Sequence, residues 1–401
     1  MATLCKNCGR PVTFDPYSQK LSCDFCGSKF APGDLEEYAS DLLEGAEPRP
    51  VDDPNLMDCY IYSCSACGGE VVVNGTESST TCIYCGSTSV VFSRISRQRR
   101  PECIIPFKIT KEEALEEVNK QFKKGAFIPK EIKNFKSEDV KGIYLPYWVV
   151  DAEHYGSVGI LTTTTRDKKV ETVCYARAGA MKVKSLPVDA TGILSPESCS
   201  MLEPYNTKAM KPFDENYLLG FYSNIADISF GELEHKVNKR AGEIFNEFAI
   251  KDVPPLADRK IEAAEHDTSI DYGKIRYAMF PAWFITYRYN GLYNTILVNG
   301  ETGKVVCGVP WDKRKVTALF VISGIAASVL AFFLCREIFN MLMDPKTLNL
   351  NPRGSSNVVY GFSAIVFAAF AAGIRKFQKL LKSLRLTQAK AMFNFVKKRQ
   401  G

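Results

Sequence analysis

Eight cysteines fall in four Cys-x-x-Cys pairs, a spacing suited to gripping a soft metal ion. Cys5, Cys8, Cys23 and Cys26 make one set, and Cys64, Cys67, Cys82 and Cys85 a second. In each set fourteen residues separate the two pairs, a glycine follows every second cysteine (Gly9, Gly27, Gly68, Gly86), and the second set lies 59 residues after the first. Zn²⁺ takes four thiolates tetrahedrally at about 2.3 Å, and a two-residue gap lets one tight turn aim both sulfurs at the same ion. The glycine supplies the positive φ that such a turn needs. Four cysteines close the coordination shell, so two structural Zn²⁺ ions are expected and no catalytic one. Redox use of Cys-x-x-Cys needs a surrounding βαβ pattern that neither set has.

The elements that must hold these cysteines are short. Val12-Thr13-Phe14 and Val71-Val72-Val73, each followed by turn residues, read as β-hairpins. They give zinc ribbon 1 over 1–33 and zinc ribbon 2 over 59–93, joined by an acidic linker over 34–58. That linker carries nine acids against Arg49 alone, with Pro48, Pro50 and Pro54. Ribbon 2 has no Lys or Arg. Phosphate recognition needs cations, so the sequence disfavours nucleic acid and favours protein partners. Arg94, Arg97, Arg99 and Arg100 read as a solvated linker. Cys59, Cys103, Cys174, Cys199, Cys307 and Cys335 stand singly and read as small buried or incidental thiols.

Residues 101–310 read as an α+β cytosolic domain with a mainly antiparallel sheet. Helices are expected over 111–125 and 231–250, the second with Leu233, Val237, Ile244, Phe245 and Phe248 as its apolar stripe. Strands are expected over 142–152, 157–165, 170–178, 275–289 and 292–298, the last two flanking the hairpin signal Asn290-Gly291. Tyr144–Gly156 and Met279–Gly291 share a Pro-x-Trp start, which reads as two sheet-core tryptophans, Trp148 and Trp283. No catalytic motif is present: His154, His235 and His266 are scattered, and Asn299-Gly-Glu-Thr-Gly-Lys304 lacks the spacing of a phosphate loop and reads as a β-turn.

Two charge-free runs follow, 316–335 and 354–374. About twenty residues at ~1.5 Å each match a ~30 Å hydrocarbon core, so they read as transmembrane helices 1 and 2. Lys313, Arg314 and Lys315 before them, and nine Lys and Arg with no acid over 375–401, place both termini in the cytoplasm by the positive-inside rule. That agrees with thiolate sites in a reducing compartment and with an N-terminus, MATLCKNCGR, lacking a signal-peptide pattern. The basic segment 375–401 reads as an amphipathic cytosolic tail facing anionic lipid.

Ordered four-cysteine ribbons, Leu145-Pro-Tyr-Trp148, Val298-Asn-Gly-Glu-Thr-Gly-Lys-Val305 and a C-terminal apolar pair resemble a family of bacterial zinc-ribbon membrane proteins, often labelled primosomal-helicase-like. The resemblance implies partnership with SPFH (flotillin-like) or phage-shock-type proteins. The expected fold class is multidomain: two small β zinc ribbons, an α+β domain with mainly antiparallel sheet, and a C-terminal two-helix transmembrane hairpin. The expected role is a non-enzymatic adaptor or scaffold in the cell membrane, multi-pass and compatible with oligomerisation. A membrane-tethered nucleic-acid-binding protein and a membrane enzyme are the alternatives.

Overall fold

A computed structural model describes residues 3–35, 53, 55–73, 82–84, 87–123, 135–166, 169–192, 194, 196–251, 261–289 and 292–307, with 315, 318, 322–325, 329, 332–334, 336–337, 340 and 375. The chain divides into two compact units, one built on Met1–Val118 and Lys136–Val306, the other on Asn119–Phe135 and Cys307–Phe393.

The first unit opens with a three-stranded antiparallel sheet, β1 (Thr13–Asp15), β2 (Lys20–Ser22) and β3 (Lys29–Phe30). Then come β4 (Leu56–Cys64), β5 (Glu70–Val73), β6 (Val90–Arg99), β7 (Cys103–Ile104), α1 (Lys111–Lys123), β8 (Val140–Arg166) and β9 (Lys169–Asp189). The chain continues through α2 (Pro196–Leu202), β10 (Lys211–Pro212), β11 (Tyr222–Ser223), α3 (Phe230–Lys251), β12 (Ile261–Tyr289), β13 (Leu292–Asn299) and β14 (Val305–Cys307). Strands β4 to β14 form one 11-stranded sheet, ordered β10-β7-β12-β8-β11-β5-β4-β6, with β9 on β8, β13 on β12 and β14 on β13.

This corrects the expected fold class. The second ribbon is no separate domain, because β4, β5 and β6 continue the body's sheet, β5 pairing with β11. The sheet is mixed, since β7 and β11 run parallel to their long neighbours. The expected strands 142–152 and 157–165 are one 27-residue strand, β8. Arg94, Arg97 and Arg99 lie in β6 rather than in a linker.

The sheet centre is an internal duplication. In one copy β7, α1, β8 and β9 follow in order; in the other β11, α3, β12 and β13 do. Each copy's first strand pairs with the other's long strand: Ile104 lies opposite Met279, and Ser223 opposite Tyr144. The next amides repeat the match, Ile105 N donating to Met279 O and Asn224 N to Tyr144 O, both at 2.9 Å. Strands β8 and β12 pair antiparallel across a local pseudo-twofold beside Leu145 and Phe280. Trp148 Nε1 donates to Ile228 O, and Trp283 Nε1 to Ile109 O, each at 3.0 Å. Those carbonyls sit just before α3 and α1, so each tryptophan of one copy anchors the start of the other's helix. The tryptophans, 6% and 4% exposed, belong to the sheet core as expected.

Both helices begin on matching caps. Thr110 Oγ1 accepts from Glu113 N at 3.2 Å while Glu113 Oε2 accepts from Thr110 N at 2.8 Å. Ser229 Oγ donates to Glu232 Oε1 at 2.7 Å. The first is a capping box, which satisfies amides that the first turn would leave orphaned. Helix α3 packs on β8 through Ala249 against Val158 and Ile160, with Phe245 beside them. Phe248, expected on that stripe, is 61% exposed, and the small Ala241 and Ala249 are buried instead.

In the second unit the described residues between 315 and 340 are helical, among them 322–325 and 332–334, with Ile322, Ile325, Phe332 and Phe333 exposed. Among the described residues no helix is long and apolar enough to cross a membrane. The expected two-helix transmembrane hairpin is thereby corrected. Of 316–335 only short pieces are described, while 354–374 and the tail after Arg375 lie outside the described residues. The multi-pass localisation with cytoplasmic termini rested on that hairpin and falls with it.

Candidate metal centres

The same turn recurs at every described cysteine pair. Gly9 N donates to Cys5 O (2.9 Å), Gly27 N to Cys23 O (2.8 Å) and Gly68 N to Cys64 O (2.8 Å). The φ angles of these glycines are +68°, +72° and +69°, a region that a side chain disfavours. A second bond closes each turn: Cys5 N to Arg10 O (2.7 Å), Cys23 N to Ser28 O (3.0 Å), Cys64 N to Gly69 O (2.9 Å) and Cys82 N to Ser87 O (2.7 Å). Both sulfurs of a pair therefore turn to one side.

Cys5, Cys8, Cys23 and Cys26 bring their sulfurs within 4.8 Å of one another, and so do Cys64, Cys67 and Cys82; Cys85 lies outside the described residues. The sulfurs of Cys5 and Cys26 are 3.6 Å apart, those of Cys8 and Cys23 3.5 Å, and those of Cys67 and Cys82 3.7 Å. A tetrahedron with metal–sulfur bonds of about 2.3 Å has edges of about 3.8 Å, so both clusters fit an ion of that kind. Hydrogen bonding to the Ser28 side chain and backbone lowers the Cys26 thiol, while burial and the neighbouring sulfurs push the Cys8 thiol up.

The clusters sit on the body differently. The first rides on the three-stranded sheet, which meets the segment before β11: Phe14 N donates to Leu219 O (3.0 Å), Asn216 Nδ2 to Pro32 O (2.9 Å), and the Phe14 and Tyr217 rings meet edge-on at 5.1 Å. Gln19 Nε2 also donates to Phe107 O at 2.7 Å. The second cluster lies at the ends of β4 and β5. Thr286 Oγ1 of β12 donates to Ile83 O at 2.8 Å, and Tyr84 meets Phe284 edge-on at 6.2 Å.

The arginines of β6 and its exit are engaged. Arg94 pairs with Glu70 (2.9 Å), Arg97 with Asp58 (3.4 Å), Arg99 with Glu102 (3.1 Å) and Arg100 with Glu215 (3.4 Å). The histidines are not brought together: His154 is buried in β8 beside Phe245, His235 lies on α3, and the side chain of His266 is outside the described residues. Residues 299–304 form the expected turn, with Asn299 Oδ1 accepting from Glu301 N and Thr302 N. Of the single cysteines, Cys59 and Cys199 are buried, Cys103 is half-buried and Cys174 exposed; the side chains of Cys307 and Cys335 are outside the described residues.

Sequence reasoning missed a half-buried ionic cluster under α3. Arg240 makes two bonds to the Glu203 carboxylate, Nη2–Oε2 being 2.5 Å, and donates to Pro187 O, while Lys236 Nζ lies 3.6 Å from Asp189 Oδ2. Burial pushes both carboxyls above their ordinary range. Removing the cation leaves a half-buried carboxylate uncompensated, so Arg240→Met should cost about 1–3 kcal/mol in urea unfolding at pH 7. Glu203 then loses its cation and its carboxyl rises further. A raised folded-state value favours the folded protein at low pH and penalises it as pH rises, so the deficit should shrink between pH 7 and pH 5. A pH-independent deficit would contradict this account. The signal that could have found the cluster is weak: Lys236 and Arg240 lie one turn apart on α3, but nothing in the sequence ties them to Asp189 or Glu203.

No protein-family model matches the chain, and no solved structure matches it. It is 27% identical over 355 residues to a Bacillus subtilis (strain 168) protein described as uncharacterized protein YdjG, a match covering 84% of this chain and 97% of that protein.

Proposed function

We propose that this chain is a non-enzymatic docking protein whose binding surface is stapled by two zinc ions. The observation that carries this reading is the second cluster's place at the end of the sheet. Among the described residues β6 pairs only with β4 and no strand covers its outer edge, and Val91, Phe92 and Ile95 along it are 57%, 51% and 56% exposed. An open edge with apolar side chains is a template for strand addition by a partner. Zinc is the ion that fits closed four-cysteine shells at these sulfur separations. The arginines that could grip phosphate face carboxylates, which supports a protein partner over nucleic acid. The resemblance of the ribbon sequences makes SPFH and phage-shock-type scaffolds the first partner class to try.

The test is affinity co-purification of the full chain with quantitative mass spectrometry, run beside a Phe92→Asp/Ile95→Asp variant. A partner enriched by the parent chain and lost at least tenfold in the variant supports edge docking. Equal recovery with both chains would refute it.

A further inference from the structure

The two cysteine centres share a turn geometry but differ in access and attachment. In the first, Cys26 is exposed and Cys8 half-buried, while Cys5 and Cys23 are buried. In the second, the described ligands Cys64, Cys67 and Cys82 are 2%, 1% and 5% exposed, so the half-buried Cys8 is matched there by a buried Cys67; Cys85, which stands where Cys26 does, lies outside the described residues. A competing thiol or chelator removes zinc by entering its coordination shell before the last protein sulfur leaves, so an exposed ligand opens the route and buried ligands close it.

Attachment differs in the same sense. The second centre is set in strands that belong to the 11-stranded sheet, and Ile83 and Tyr84, next to Cys82, are held by Thr286 and Phe284 of β12. Opening it requires breaking a strand ladder. The first centre organises strands of three, three and two residues, too short to persist without the ion. Its grip on the body is local and comes from residues the ion keeps in place. Thr3 Oγ1 donates to Asn216 Oδ1 (3.1 Å), Phe14 N reaches Leu219 O, and Phe14 lies on Tyr217. Asn216 and Tyr217 are buried, at 6% and 8% exposure, in a segment that leads into β11.

We infer that the Cys5, Cys8, Cys23 and Cys26 centre is an exchangeable zinc site whose loss of metal releases the N-terminal ribbon and uncovers the 214–221 segment, while the Cys64, Cys67 and Cys82 centre keeps its ion. The inference rests on the zinc-stapled reading above. It assigns to one ribbon a responsive role, sensitive to competing thiols and to zinc supply, and to the other a fixed one.

The experiment uses the full chain loaded with zinc. Its metal content is measured first, and a chromogenic chelator, 4-(2-pyridylazo)resorcinol, is then added in excess. One equivalent should leave at least tenfold faster than the second, and hydrogen exchange should then rise over 3–30 and 214–221 but not over β4–β6. Cys26→Ser should abolish the fast phase and leave the slow one. Release of two ions in a single phase, or fast release with 214–221 still protected, would overturn the inference. A starting content below two ions per chain would instead count against the zinc-stapled reading itself.

Discussion

Cys64→Ser is expected to halve the metal content from two ions per chain to one and to melt the outer strands of the large sheet. Structural zinc contributes an apparent ~10–16 kcal/mol in small zinc domains at neutral pH, which rivals the ~5–15 kcal/mol net stability of a whole domain. Here the effect should be large but graded. Strand β4 ends at Cys64, β5 starts six residues later, and β5 joins the body through Tyr222 opposite Val73 and Ser223 opposite Val72. Losing the ion should therefore remove protection from β4, β5 and β6 and lower the unfolding midpoint of the body, which loses the neighbour of β11. Elemental analysis with urea unfolding and hydrogen exchange gives the readout. Two retained ions, or an unchanged midpoint, would show that Cys64 does not staple this edge.

Phe280→Ala should cost about 3–5 kcal/mol, the range for deleting a buried aromatic ring and leaving a cavity. Phe280 has no exposed surface, stacks on Tyr147 at 4.5 Å and 20°, and tilts against Tyr205 at 4.8 Å. It stands opposite Leu145, where the two long strands cross the pseudo-twofold, so the surrounding rings cannot collapse into the space without moving both copies. Phe248→Ala, at a ring 61% exposed on α3, provides the contrast and should shift stability by no more than about 0.5 kcal/mol. Equal losses from the two variants in chemical unfolding would contradict the burial pattern.

The cysteine clusters were legible because their signal is local. Two residues between cysteines, and a glycine after them, dictate a turn without reference to anything distant. The helices were legible from apolar spacing, while the local cap signals, Thr110 with Glu113 and Ser229 with Glu232, went unread. What escaped is set by pairing across long separations. Nothing near Val71 announces that it joins a strand paired to Tyr222. Arg94 to Arg99 carries the charge density of a linker, yet Arg97 lies opposite Asp58 across β4 and β6, and the strand forms. Apolar run length suggested membrane spans over 316–335 and 354–374, yet among the described residues no helix is long and apolar enough to cross a membrane, and 354–374 lies outside them. The duplication was half visible. Pro-x-Trp in β8 and β12 marked it, while Ile109-Thr-x-x-Glu113 with Val118-Asn-Lys120, matched by Ile228-Ser-x-x-Glu232 with Val237-Asn-Lys239, carried the remaining signal.

The crossing of strands between the two copies governs the order in which the chain can fold. Strand β7 has β12 and β10 as neighbours, and both are made more than a hundred residues after it. During synthesis the first copy's opening strand therefore stays unpaired until Lys211 and Pro212 have emerged and lacks its β12 neighbour until Met279 has, while β8 can pair with β9 at once but has one side open until β12 is made. The sequence separation of these contacts places the body among slowly folding topologies, in which closure comes late and nearly all at once. The arrangement is that of a strand-exchanged dimer whose two partners share one polypeptide, so neither half has a complete sheet of its own.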